Sequence, residues 1–190
     1  YVDSYVDALG HNFNKSICAN CGLSNLGFAL SEDGNSYIVT GMGDCTETEI
    51  IIPETYNGKP VTAIAESAFI DNKTLTKVKI ADSVKVIGAS AFVGCGNITE
   101  INIPYGVERI ENSTFQVCVG LKNIEIPETV TYIGDMAFYW CENLEKVVIP
   151  NSVVGVYSFA FSGCEKLKTL VIGSGVKRIE SCAFEKCEEL

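Results

Sequence analysis

The sequence predicts an α/β repeat, a solenoid of 23-residue units that each supply one parallel strand, an extended turn and a short helical or 3₁₀ turn. Three observations carry this reading. Phe69, Phe92, Phe115, Phe138, Phe161 and Phe184 fall at one unbroken spacing of 23 residues. Two further apolar columns keep that phase: Ile64, Ile87, Ile110, Ile133, Val156 and Ile179 before the Phe, and Leu75, Ile98, Leu121, Leu144, Leu167 and Leu190 after it. A third set alternates with period two, as a strand with one buried face must: Val78 and Ile80, Ile101 and Ile103, Ile124 and Ile126, Val147 and Ile149, Leu170 and Ile172.

Taken in chain order, residues 1–27 form a polar N-terminal segment with a CxxC motif, residues 28–52 a hairpin-like cap, and residues 53–190 the array. Asp33-Gly34 supplies turn chemistry for the cap. The first unit is five residues longer than the rest, because Ile52 to Ile64 is 12 positions where Ile80 to Ile87 is seven; Asn57-Gly58 predicts a turn that bulges out. Within a unit the strand closes at Pro104, Pro127 or Pro150, residues without an N–H to give a ladder. The stretch Gly134 to Cys141 has room for a turn or two only, which predicts a short helix or 3₁₀ turn. Strands in register lie about 4.8 Å apart, so a side chain recurring every 23 residues sits over its copy and each column becomes a ladder. The repeat stops at Leu190, mid-unit, and the chain opens on Tyr-Val-Asp without an initiator Met or a signal-peptide pattern. A fragment of a longer protein is expected, its array cut at the C-terminal end.

Composition narrows function by exclusion. Fourteen basic against 24 acidic residues give a formal charge of −10, which repels polyanions and leaves no counterion release to drive nucleic-acid binding. No run of about 18 apolar residues is present to span a bilayer, so no membrane insertion is expected from these residues.

The run Ile126-Pro127-Glu128-Thr129-Val130-Thr131-Tyr132-Ile133-Gly134-Asp135-Met136-Ala137-Phe138, followed by Cys141 and Leu144, resembles the 23-residue leucine-rich repeat of the BspA-like bacterial surface proteins. The resemblance covers about residues 28–190. The lead-in is also similar, through Tyr37-Ile38-Val39-Thr40-Gly41, Ile52-Pro53 and Asn57-Gly58-Lys59-Pro60-Val61-Thr62. It implies a leucine-rich-repeat solenoid, secreted or displayed on the cell surface, used for adhesion or protein recognition, with a host extracellular-matrix or cell-surface protein among the partners that fit. Some positions depart from the pattern. The Gly after the Ile column occurs only as Gly88 and Gly134, so a left-handed backbone is not obligatory there. Met136, Phe159 and Cys182 replace the Ser that stands two before the Phe in the first three units, and Thr114 replaces the Ala before it.

Five of the nine cysteines, Cys95, Cys118, Cys141, Cys164 and Cys187, keep the repeat phase three residues after the Phe. Stacked parallel side chains point the same way and make poor disulfide partners, so buried free thiols are expected, with Cys182 the stray. Cys18-Ala19-Asn20-Cys21-Gly22, with His11 upstream, has the form of half a zinc knuckle. A zinc half-site, a local disulfide and reduced or truncated-site thiols all fit this motif, and no metal or cofactor is assigned. His11 is the only histidine, which leaves no Ser-His or Cys-His system in the array. Glu188-Glu189 and Glu47 with Glu49 read as solvated faces, and Gly41-Met42-Gly43 lacks the third glycine of a phosphate loop. No catalytic residue is assigned and no enzyme is expected.

Function must then lie in what the stack displays. The outward strand columns run Lys77, Glu100, Asn123, Lys146, Thr169 and Lys79, Asn102, Glu125, Val148, Val171. The second turns apolar at Val148 and Val171, with Tyr105 just past a strand end. On the turn side Tyr139 and Trp140 follow Phe138, and such aromatics often anchor contacts. Tyr105, Val148, Val171, Tyr139 and Trp140 are therefore the candidate ligand-binding residues of a non-enzymatic recognition module. The alternative is a structural stalk presenting another domain.

Overall fold

Three of the five period-two pairs, Val78 and Ile80, Val147 and Ile149, and Leu170 and Ile172, form strands that stack in parallel; Ile101 ends a two-residue strand without Ile103, and Ile124 and Ile126 form none. Glu49–Ile52 pairs with Lys77–Ile80 through Ile52 opposite Ile80, and Lys146–Ile149 pairs with Thr169–Ile172 through Val148 opposite Val171. The structure is a computed structural model that describes residues 26–190 in full and, before them, the backbone of Ser4–Val6, Asn12–Asn14 and Ile17–Cys18. Those three short strands pair antiparallel. His11, Cys21 and the Cys18 side chain, and with them the zinc, disulfide and thiol readings, lie outside the described residues.

A second parallel ladder follows the Ile column, from Tyr37–Gly41 and Lys59–Ile64 to Val86–Ile87, then from Arg109–Ile110 through Tyr132–Ile133 and Gly155–Val156 to Arg178–Ile179. At its start Gly27–Leu30 folds back antiparallel on Tyr37–Gly41. The Asp33-Gly34 turn between them closes with the Ser31 N–H donating to the Ser36 carbonyl at 2.9 Å. The five extra residues of the first unit make a small hairpin, Thr55–Tyr56 against Lys59–Ile64, around Asn57 and Gly58, both at positive φ (48° and 74°). Its Tyr56 ring stacks on Phe28 at 3.9 Å and meets Tyr37 edge-on at 4.9 Å.

The Phe column is the spine of the core. Phe69, Phe92, Phe115, Phe138 and Phe161 are buried, Phe184 is partly buried, and successive rings stack nearly parallel with centroids 5.0 to 5.7 Å apart.

The predicted helical turn is corrected. No helix or 3₁₀ turn occurs among the described residues. Around each Phe the chain makes overlapping i to i+3 turns instead, as in Ala68 to Ala65, Ile70 to Ser67 and Asn72 to Phe69. The residues two before and two after the Phe adopt left-handed φ in every unit, including Ser67, Asp71, Val117, Met136, Trp140, Phe159 and Lys186. The physical reason is directional. In a helix every N–H points along the helix axis and is used inside the turn. Here alternate N–H groups turn outward along the stack: Ser67, Phe69 and Asp71 donate to Ala89, Ala91 and Val93 of the next unit at 2.7 to 3.0 Å, and the same three bonds recur at every junction as far as Gly163 to Glu185. Gly88 and Gly134 are not among the positive-φ residues. A Cβ would come within 2.5 Å of the Glu66 nitrogen at Gly88 and of the Asn112 Oδ1 at Gly134, so close packing of units calls for glycine there.

Candidate functional site: a seam in the strand face

The thiol column is part of the packed core. Cys95, Cys118, Cys141 and Cys164 are free and buried, and each Sγ–H donates to the carbonyl of the Phe one unit back, from Cys95 to Phe69 at 3.0 Å through Cys164 to Phe138 at 3.4 Å. Burial pushes the Cys95 thiol up to about 11 and raises those of Cys118, Cys141 and Cys164 as well, which withholds the thiolate that a nucleophile or metal ligand needs. Cys187 continues the column, half-buried, and Cys182 is exposed outside it. Among the described residues no group of three or more His, Cys, Asp or Glu could hold a metal ion. Of the paired carboxylates, Glu49 faces Lys77, which lies 3.6 Å from both Glu49 and Glu100, and Glu189 faces Lys168 at 3.2 Å. No described helix is long and apolar enough to cross a membrane.

The strand face holds the more informative geometry. The ladder that should run unbroken along it is interrupted: Glu100–Ile101 is only two residues long, and the Ile124–Ile126 stretch joins its neighbours through the single bridge Asn123 to Lys146. Prolines explain the break. In regular units the N–H after the strand closes the ladder, Ala81 donating to the Ile52 carbonyl at 3.1 Å and Gly173 to the Ile149 carbonyl at 2.8 Å. The corresponding residues for Ile80, Ile103 and Ile126 are Pro104, Pro127 and Pro150, which have no N–H. Asn102 repairs the first of these sites. Its side-chain amide accepts from the Ile80 N–H and donates to the Ile80 carbonyl, both at 2.8 Å, standing in for the missing backbone. The carbonyls of Ile103 and Ile126 receive no hydrogen bond among the described residues.

The seam opens into a groove of about 810 Å³ on this face, lined by Tyr105, Ile124, Glu125, Glu128, Lys146 and Val148 among others. Tyr105 is the most exposed large apolar side chain here, at 67%, and Val148 and its register partner Val171 stand 42% and 49% exposed. Two of the predicted contact residues, Tyr105 and Val148, therefore share one groove, with Val171 beside them. Tyr139 and Trp140 do not line it. They are half-buried on the turn side, where Tyr139 meets Phe159 edge-on at 6.3 Å and Trp140 covers Gly163, a Cβ at which would lie 3.1 Å from the indole, beneath Lys186 at 5.5 Å. Asn102, Glu125 and Glu128 went unassigned at the sequence level. The signal that could have found them is the replacement of Ala81 and Gly173 by proline in three successive intervening units.

The family profile described as BspA type leucine rich repeat region matches residues 44–190 in six copies. No curated protein sequence matches the chain. Among solved structures it is similar to a leucine-rich repeat protein of T. pallidum (26% identity, 87% of this chain and 88% of that one, TM-score 0.72). It is similar also to a leucine rich cell surface protein of Faecalibacterium prausnitzii (28% identity, 98% and 53%, TM-score 0.73) and to a leucine-rich repeat protein of Bacteroides ovatus (31%, 88% and 51%, TM-score 0.65). The chain thus spans about half the length of the latter two proteins.

Proposed function

Because the chain belongs to the BspA-type leucine-rich repeat family, we propose that it is a non-enzymatic protein-recognition or adhesion module of a secreted or cell-surface bacterial protein, contacting its partner through the strand face. The residues 28–52 serve as the cap of the array and residues 53–190 as its binding body. One observation carries the reading. Val148 and Val171 stand side by side, each nearly half exposed, next to the groove that holds Tyr105. A solvated strand face gains nothing from such apolar columns, whereas a contact surface does. The likeness to a described cell surface protein supports the location. A protein of the host extracellular matrix or cell surface is the partner class that fits a surface module.

The test is capture from an extracellular-matrix extract by the immobilised chain. The double variant Val148→Asp, Val171→Asp keeps its melting temperature within a few degrees, as exposed substitutions do, and loses capture. Unchanged capture would refute the strand-face reading and leave the array as a stalk.

A further inference from the structure

The groove at the seam holds backbone groups and carboxylates without partners. The Ile103 and Ile126 carbonyls take no hydrogen bond, Glu125 and Ile126 make no backbone hydrogen bond at all, and neither Glu125 nor Glu128 has an ion-pair partner among the described residues. Apolar walls stand beside them, Ile124 and Ile126 below and the Tyr105 ring and Val148 at the rim. Lys146 lies at the opposite, strand-start side, in register with Asn123 and therefore two positions away from the Glu125 level.

We infer that the seam is a slot for an Arg or Lys side chain carried on an extended segment of the partner protein. This rests on the strand-face reading above and names the chemistry of the partner. A guanidinium offers five donors and no acceptor, which suits two carbonyls without donors and two unpaired carboxylates. Its methylene stem packs on apolar walls, and its face stacks on an aromatic ring such as Tyr105. The opposite sign is disfavoured: an acidic segment would meet Glu125 and Glu128 on a chain of formal charge −10. The prolines give the slot its origin, since with an N–H at positions 127 and 150 the ladder would close over the same carbonyls.

The probe is the peptide acetyl-Thr-Val-Arg-Val-Thr-amide, with versions carrying citrulline or Glu in place of Arg, titrated into the full chain and followed by amide NMR shifts and calorimetry. The Arg peptide binds saturably with shifts centred on Glu125 and Ile126. Citrulline, which keeps the planar shape but exchanges one nitrogen for a carbonyl oxygen and so has three N–H donors and no charge, binds about tenfold more weakly, and the Glu peptide does not bind. The variant Glu125→Gln, Glu128→Gln, both exposed and so without consequence for folding, removes the preference for Arg over citrulline. Pro127→Ala with Pro150→Ala restores the closing donors and lowers the affinity for the Arg peptide. The slot is overturned if the Arg peptide shows no saturable binding up to millimolar concentration, if citrulline binds equally, or if the two Gln substitutions change nothing. Failure here, with capture still lost in the Val148→Asp, Val171→Asp variant, removes the slot and keeps the recognition face; failure of that capture test removes the recognition face itself.

Discussion

The Phe column makes a quantitative prediction, because its members differ in how many rings they touch. Phe138 is fully buried, with Phe115 at 5.2 Å on one side and Phe161 at 5.0 Å on the other. Phe138→Ala removes about 3 kcal/mol of burial, and the rigid turn ladder on both sides prevents collapse, so the cavity carries the loss to about 4–5 kcal/mol. The two ring stacks, about 0.5–1.5 kcal/mol each, are part of that total. Phe184 has one ring partner, at 5.4 Å, and is only partly buried. Its truncation leaves a notch open to water and costs about 1–2 kcal/mol. Urea unfolding of both variants, followed by far-UV circular dichroism and by the fluorescence of Trp140, the only tryptophan, measures the difference. The central variant also lowers the urea m-value, because a gap in a one-dimensional array uncouples the units on either side. Equal losses from the two variants, or a loss below about 1 kcal/mol for Phe138→Ala, would refute the assignment of the column as a continuous buried spine.

Two further outcomes follow from the same core. The buried thiols make stability fall at alkaline pH: their folded-state values are raised above the unfolded value of about 8.5, so the folded chain holds protons that the unfolded chain releases, and stability present below that pH is lost as pH rises through the window, which for Cys95 closes at about 11. Four thiols at about 1.4 kcal/mol per pH unit each give a loss of roughly 5 kcal/mol between pH 7.5 and 9.5, measured by urea midpoints under reducing conditions; the Cys118→Ala, Cys141→Ala variant shows about half the pH-dependent loss, and a flat profile would sink the account. Val117 is a β-branched residue at φ 58°, where its equivalents in the units before and two after are Gly94 and Gly163, so Val117→Gly relieves strain of about 1–2 kcal/mol against a glycine entropy cost of about 0.5–1 and raises the melting temperature by a few degrees, whereas a lower one would show that the ladder holds valine there without strain.

The parts legible in the sequence were those written in side-chain periodicity. Val78 and Ile80, Val147 and Ile149, and Leu170 and Ile172 announce strands by alternation, and the Phe and Cys columns announce ladders by strict phase. The turn around the Phe is not legible because periodicity reports which way a side chain points and carries no information on the sign of φ. Of the twelve left-handed residues two before or two after a Phe, ten are Ser, Asp, Val, Met, Trp, Phe, Cys or Lys and only two are Gly, so the residue that normally flags such a backbone is mostly absent. What holds these residues left-handed is the bond each N–H makes to the next unit, a tertiary constraint that overrides local preference. The candidate site was half legible. Exposure of Val148 and Val171 followed from the outward columns, and Tyr105 from its place beyond the strand. The turn-side place of Tyr139 and Trp140 is legible too, but not their neighbours Phe159 and Gly163, which lie one unit on and are brought near only by the stacking itself.

The two sides of the coil answer to different demands, and the hydrogen bonds show which side carries the stability. Three ladder bonds recur around the Phe at each of the junctions from Ser67 to Gly163, through units where Ser, Met and Phe exchange at the same position. Across the strand face the ladder breaks at Ile103 and Ile126 with no break in the Phe stack, where Phe92 and Phe115 still lie parallel at 5.7 Å, the longest spacing of the column. A seam can therefore open at the strands because the turns, rings and thiol-to-carbonyl bonds already fix the register of successive units. Proline at 104, 127 and 150 costs ladder bonds that a sheet standing alone would need, and the array survives the loss because its cohesion lies on the opposite side. That separation is what leaves the strand face free to vary its side chains and its backbone pairing without unstacking the coil.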